Sequence, residues 1–341
     1  MTDPLVATSS QRDTAEKTWS ARAALTLALV TSIVAAGLLM GVGILLPARI
    51  GRGLLLFAPW LAPALVQDVG RSVVFRDQTG RRAVFSDATW LLMMAAAAPL
   101  AFASGTDWAV VACWGVGAVS GAVVALYQVA WRPIHLSHAV SWWKLEARRL
   151  ARWLGVQALI YNVVSFTTVL LLAGILGSSD YGGFRAVQSV FAPLTLLGPA
   201  LALPGLPLVS RLIVDSRKRA LRVAAQLAGL ITAVTCVYVI VVYAIPDVLV
   251  FFFGQSFADF RAIMIPIGLA QVLAAPAFGL MLFLKAEQRG ATLFLLGTLN
   301  AVVYLVLTVT LGSAFGITGA AWGAVGTGTV SVVALMFTFR R

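Results

Sequence analysis

Charge is scarce in this 341-residue sequence, where Asp, Glu, Lys and Arg make up 11% and hydrophobic residues 60%. So few charges cannot cover so much apolar surface in water, which excludes a soluble globular fold. Cysteine is nearly absent: Cys113 and Cys236 fall inside apolar runs, away from oxidising solvent and metal-type spacing, and read as packing residues. His135 and His138 stand three apart with no third ligand, so no metal centre is expected. There is also no Gly-x-x-x-x-Gly-Lys-Ser/Thr loop, no His-Glu-x-x-His pair and no soluble stretch able to house an ATPase or glycosyltransferase site. The chain is therefore read as neither an enzyme nor a hydrolysing pump, and no cofactor is expected. None of the 13 acidic residues lies clearly at the centre of an apolar run, which counts against a cation-coupled multidrug exporter without removing it as an alternative.

What is present is length and apolarity. Ten runs of about 20 residues, each enough to cross a hydrocarbon core about 30 Å thick, fall at 23–46, 51–70, 84–104, 108–129, 154–177, 184–210, 219–245, 260–284, 291–312 and 316–338. The fold class expected is an all-α polytopic membrane protein. All but Arg49, Arg52, Arg185 and Arg261 of the 25 basic residues occupy alternate gaps, which puts both termini on the cytoplasmic side of a bacterial inner membrane. The +12 charge is thus explained without nucleic acid, with attraction to anionic membrane lipids as a secondary effect. Residues 1–22, polar and of mixed charge, read as a disordered cytoplasmic tail and not as a signal peptide.

Between the fourth and fifth runs, Leu136, Val140, Trp143, Ala147, Leu150 and Leu154 recur at three- and four-residue steps. With Lys144, Glu146, Arg148, Arg149 and Arg152 between them, this spacing predicts an amphipathic helix over 131–153 lying in the interface, with Trp142, Trp143 and Trp153 at headgroup level. It would join an N-terminal lobe of four spans (23–130) to a C-terminal lobe of six (154–341). A weak repeat lays Pro59–Phe85 against Ile265–Phe294, each containing a basic turn followed by an apolar run, with proline-bearing loops upstream at Leu45–Pro47 and Ile245–Pro246. Pairing runs one to four with seven to ten leaves five and six without partners, the arithmetic of a six-plus-six protein lacking its first two helices.

Three stretches carry a family resemblance. They are Gln67-Asp68-Val69-Gly70-Arg71 through Gly80-Arg81-Arg82-Ala83 to Asp87-Ala88-Thr89-Trp90; Asp180-Tyr181-Gly182-Gly183-Phe184-Arg185-Ala186-Val187-Gln188-Ser189 with Pro193-Leu194; and Gly316-Ile317-Thr318-Gly319-Ala320-Ala321-Trp322-Gly323. Their order over about 320 residues resembles the polysaccharide flippases of the multidrug/oligosaccharidyl-lipid/polysaccharide (MOP) exporter superfamily, of the O-antigen and lipid-precursor kind. The resemblance implies a flippase-like, MATE-like fold of two lobes around a cavity, this chain corresponding to helices three to twelve. It also implies transport of an undecaprenyl-diphosphate-linked saccharide from the cytoplasmic to the outer leaflet for surface polysaccharide biosynthesis. A polysaccharide polymerase or glycosyltransferases would be further partners. A non-transporting scaffold, or the remnant of a longer protein, is the alternative.

Candidate site residues are polar groups within the runs. Arg185, with Gln188 three residues on, presents a guanidinium that could grip a diphosphate, or that snorkels to headgroups. Asp87 could serve a cavity or pair with Arg71 or Arg82. Gln157, Asn162 and Asn300, with Gln128, Gln226 and Gln271, could line a hydrophilic path for sugar or bond between helices. Pro193, Pro199 and Pro204 mark the strongest hinge candidate. Gly117/Gly121 and Gly319/Gly323 are small-residue pairs suited to close helix packing.

Overall fold

The computed structural model describes residues 14–76, 80–245 and 247–339, which are helical apart from short turns and irregular connections such as 131–135, with no strand among them. The chain divides into two units, one ending at Arg149 and the other beginning at Leu150.

In the first unit, α1 (Thr14–Leu45) is followed by α2 (Ala48–Phe57), which passes through a 3₁₀ turn, Ala58–Trp60, into α3 (Leu61–Arg76). Next come α4 (Gly80–Ser104) and α5 (Asp107–Gln128). α5 approaches its neighbours through small residues: Gly115 lies under the Trp60 ring, Gly117 against Trp90 and Gly121 against Gln67. Ser86 Oγ donates to Gly121 O at 3.1 Å and Cys113 Sγ to Met94 O at 3.0 Å, which ties α4 to α5 and gives Cys113 the packing role expected of it.

Two expectations are corrected here. The tail expected over 1–22 lies outside the described residues up to 13, but from Thr14 the chain is helical, and Ser20 and Ala21 are fully buried. Ala21, Ala24, Leu25 and Ala28 pack into one core with Val66, Val69 and Val73 of α3, so apolar burial extends the helix beyond the hydrophobic run. The linker also differs from one amphipathic helix: α6 (Leu136–Trp142) gives way to a single π turn, Trp143–Ala147. That extra residue per turn shifts the buried stripe to Ala139, Trp142, Ala147 and Leu150. Trp142, expected at headgroup level, is instead wholly buried in the core with α1, and Leu136 is exposed. His135 and His138 meet edge to face at 5.9 Å, and no metal-competent group occurs among the described residues.

The second unit is built largely on α7 (Arg148–Val190), α8 (Ala192–Asp215), α9 (Arg217–Ala244), α11 (Met264–Ala286) and α12 (Gly290–Phe339). Between α9 and α11 lie the short α10 (Val248–Phe253) and a 3₁₀ segment, Gln255–Ile263. Straight helices of 43 and 50 residues would be about 65 and 75 Å long, more than twice the hydrocarbon thickness. Each is broken at a glycine in a left-handed conformation, Gly177 at φ 77° and Gly316 at φ 62°. At Gly316 the chain turns back on itself, so that Gly319 lies on the Leu311 carbonyl and Gly323 on Leu307. Counting this hairpin as two, the nine long apolar helical runs among the described residues give the ten spans expected from hydropathy. The core of this unit joins Phe184, Val187, Phe191 and Leu194 to Val248, Leu249, Ile263, Met264, Ile267, Ala320 and Ala321.

Of the expected hinge prolines, Pro193 stands at the break between α7 and α8, where Phe191 donates to Gln188 O and accepts from Leu194 N. Pro199 and Pro204, with Pro207, sit inside α8, which remains one helix.

Candidate functional site

The second unit contains a cavity of about 460 Å³, and three helical stripes supply much of its polar wall. Gln157 and Tyr161, Asn300 and Tyr304, and Thr327 and Ser331 are each i, i+4 pairs, one turn apart on a common face. Gln188 and Gln271 complete the polar lining. No lining residue is charged; the remainder are apolar, including Ile267, Phe278, Met281 and Leu296. Such a wall offers amide and hydroxyl groups in an otherwise apolar pocket, the composition of a site for an uncharged polar moiety.

Hydrogen bonds fix parts of this wall. Arg185 Nη1 donates to Gln188 Oε1 at 3.1 Å, and Gln188 Nε2 approaches Tyr304 Oη at 3.4 Å, linking α7 to α12. Ser331 Oγ lies 2.5 Å from Asn300 Oδ1, across the hairpin. The amides of Gln157 and Gln271 have no hydrogen-bond partner among the described residues. Arg185 is exposed and does not line the cavity, but reaches it through Gln188.

Of the residues picked from sequence, Gln157, Gln188 and Asn300 thus come together, with Gln271. Asn162 does not join them: it is exposed and donates to Ala158 O on its own helix at 2.8 Å. Gln226 is exposed, and Gln128 donates to Arg82 O at 2.9 Å. Tyr161 and Tyr304 do not stand out in the sequence, because a tyrosine in an apolar run looks like core or interfacial belt. The signal available was spacing, each lying four residues beyond a chosen amide.

Asp87 occupies a separate cavity of about 500 Å³ in the first unit, with Gln67, Asp68, Arg71, Trp90 and Trp114. Arg71 pairs closely with Asp68 at 2.7 Å and loosely with Asp87 at 3.8 Å, and Gln67 Nε2 lies 3.5 Å from Asp87. Of the two arginines considered, it is Arg71 that meets Asp87. Two carboxylates share one guanidinium here, leaving one negative charge uncompensated within the group.

In sequence, neither a protein-family model nor a curated protein matches the chain. Solved structures do match in fold. A MOP superfamily transporter from Pyrococcus furiosus Vc1 (DSM3638) superposes with a TM-score of 0.75 at 13% identity, over 99% of this chain and 81% of that one. The Vibrio cholerae MATE transporter VcmN, in a single-substitution form, gives 0.73 at 12% identity, over 99% and 84%. The lipid II flippase MurJ, in an inward closed conformation, gives 0.63 at 14%, over 97% and 74%. The chain therefore has the all-helical, multi-pass membrane fold of the MOP superfamily transporters.

Proposed function

We propose that this protein is a bacterial inner-membrane transporter that flips an undecaprenyl-diphosphate-linked saccharide to the outer leaflet for surface polysaccharide biosynthesis. The carrying observation is the charge-free, amide-lined cavity in the second unit with Arg185 hydrogen-bonded to its wall. Carboxamides and hydroxyls both donate and accept, as sugar hydroxyls do, while a guanidinium suits a diphosphate. Polarity, more than fold, carries this argument: for the Pyrococcus furiosus neighbour, a reversed polarity of the binding pocket is taken to suggest a different function. Anionic lipids at the basic loops, and a polymerase or glycosyltransferases supplying or consuming the cargo, are partners of the same reading.

The test is complementation of a flippase-deficient bacterium by the parent chain and by Arg185→Ala, scoring outer-leaflet saccharide at matched expression. Export by the parent and not by the variant is expected. Failure of an inserted parent to export, with the donor lipid confirmed, would favour a non-transporting scaffold.

One observation favours a second reading, a cation-coupled multidrug exporter. The Asp68–Arg71–Asp87 group, beside Trp90 and Trp114, offers uncompensated negative charge next to aromatic faces, which suits an organic cation.

A further inference from the structure

The contact between Arg185, Gln188 and Tyr304 has a direction. An arginine side chain only donates, so Gln188 must offer it the carboxamide oxygen, as it does at 3.1 Å. That orientation commits the other end of the carboxamide, an N–H₂ group that only donates, to the phenol of Tyr304 at 3.4 Å. Tyr304 therefore accepts from Gln188, and its own proton is left to be donated elsewhere. No protein acceptor takes that proton among the described residues. Tyr304 lines the cavity.

We propose that Tyr304 is a hydrogen-bond donor subsite for an acceptor oxygen of the cargo head group, with its polarity set by Arg185 through Gln188. This rests on the cavity being the cargo site. The acceptor is either a phosphoryl oxygen of the lipid carrier or a carbonyl or hydroxyl oxygen of the saccharide, which share the chemistry of an exposed lone pair. Arg185 and Gln188 act as positioning residues, since neither need touch the oxygen that Tyr304 binds. The relay also gives Arg185 a role that a guanidinium merely resting among headgroups would lack.

The test uses the full chain in phosphatidylcholine nanodiscs, titrated with geranylgeranyl diphosphate, with geranylgeraniol and with an N-acetylglucosamine disaccharide. Tyr304→Phe keeps the ring and loses the proton, and is expected to weaken binding of the probe that reaches the subsite about tenfold. Gln188→Glu still accepts from Arg185 but also accepts from Tyr304, turning the phenol away from the cavity; a similar loss is expected. The double variant should be no worse than either single one, because the residues act as one unit. Loss confined to the diphosphate identifies a phosphoryl oxygen of the carrier as the acceptor, and loss confined to the disaccharide identifies a sugar oxygen; either leaves the donor subsite standing.

A ligand-free readout keeps the relay testable if the cargo reading itself fails. The tyrosine Raman doublet of Tyr304, isolated by subtracting the Tyr304→Phe spectrum, reports whether the phenol accepts or donates. It should shift from an accepting towards a donating pattern in Gln188→Glu. An unchanged doublet overturns the relay. Binding by Tyr304→Phe equal to the parent for a probe that the parent does bind overturns the subsite.

Discussion

Tyr238 of α9 donates its hydroxyl to the carbonyl oxygen of Val190 at 2.7 Å, where α7 yields to α8. In an unbroken helix that carbonyl would accept from the amide of Leu194, but Leu194 donates to Phe191 O instead. The amide lost at Pro193 and the redirected one at Leu194 open the helix, and Tyr238 satisfies the carbonyl so exposed. The break follows Gln188 by two residues, so its geometry and that of the cavity wall are tied together.

Replacing Tyr238 with Phe keeps the ring beside Phe191 and removes this bond. A loss of about 1 kcal/mol in stability is expected, together with faster amide exchange over residues 190–194. Hydrogen exchange read by mass spectrometry checks it; protection unchanged from the parent would mean that the proline break needs no such tie.

Glu287 joins two turns of the second unit. Its carboxylate, 14% exposed, receives Arg217 Nε at 2.6 Å and stands 3.8 Å from Arg289, while the Arg217 guanidinium covers the Phe283 ring at 5.3 Å. Glu287→Gln should cost about 1–3 kcal/mol, since it leaves cations without their shielded partner. Arg217→Ala should weaken the fold as well, through lost packing on Phe283 besides the lost pair. Thermal unfolding in detergent separates the two variants from an exposed control such as Arg222→Ala.

In the first unit, Asp87→Asn should change stability by less than about 1 kcal/mol, because its arginine contact is long and both side chains are partly exposed. Asp68→Asn, which removes the 2.7 Å contact, should cost more. The same pair divides the functional readings: Asp87→Asn should leave saccharide export intact in a flippase, whereas in a cation exporter it should abolish ethidium efflux.

Asn300→Ala and Asn162→Ala form a matched comparison. Ser331 keeps its bond to Thr327 O at 2.9 Å when Asn300 is removed, so folding should be little affected while export or disaccharide binding falls several-fold. Asn162→Ala should match the parent in both assays, since its amide serves only its own helix.

The membrane fold was legible because hydropathy reports single spans, and the run ending at 177 and the run beginning at 316 meet the two sharp breaks at Gly177 and Gly316. The site was half legible. Polar residues inside apolar runs pointed to Gln157, Gln188 and Asn300, yet depth alone could not choose between Tyr161 and Asn162. A step of four from Gln157 stays on one helical face, whereas a step of five rotates about 100° further. Trp142 shows the opposite failure: periodicity placed it off the apolar stripe, and one π turn moved the stripe onto it. Contacts such as Gln188–Tyr304, between residues 116 apart, leave no trace in local pattern at all.

The hairpin at Gly316 also bears on how the chain is made. Phe315 and Gly316 alone depart from helical geometry at the reversal, so almost no loop separates the two spans. Gly319 and Gly323 then seat directly on the backbone of Leu311 and Leu307. With so short a connection, the first arm cannot settle across the bilayer while the second is still far away. The two arms are expected to enter the lipid together, as a single insertion unit during synthesis.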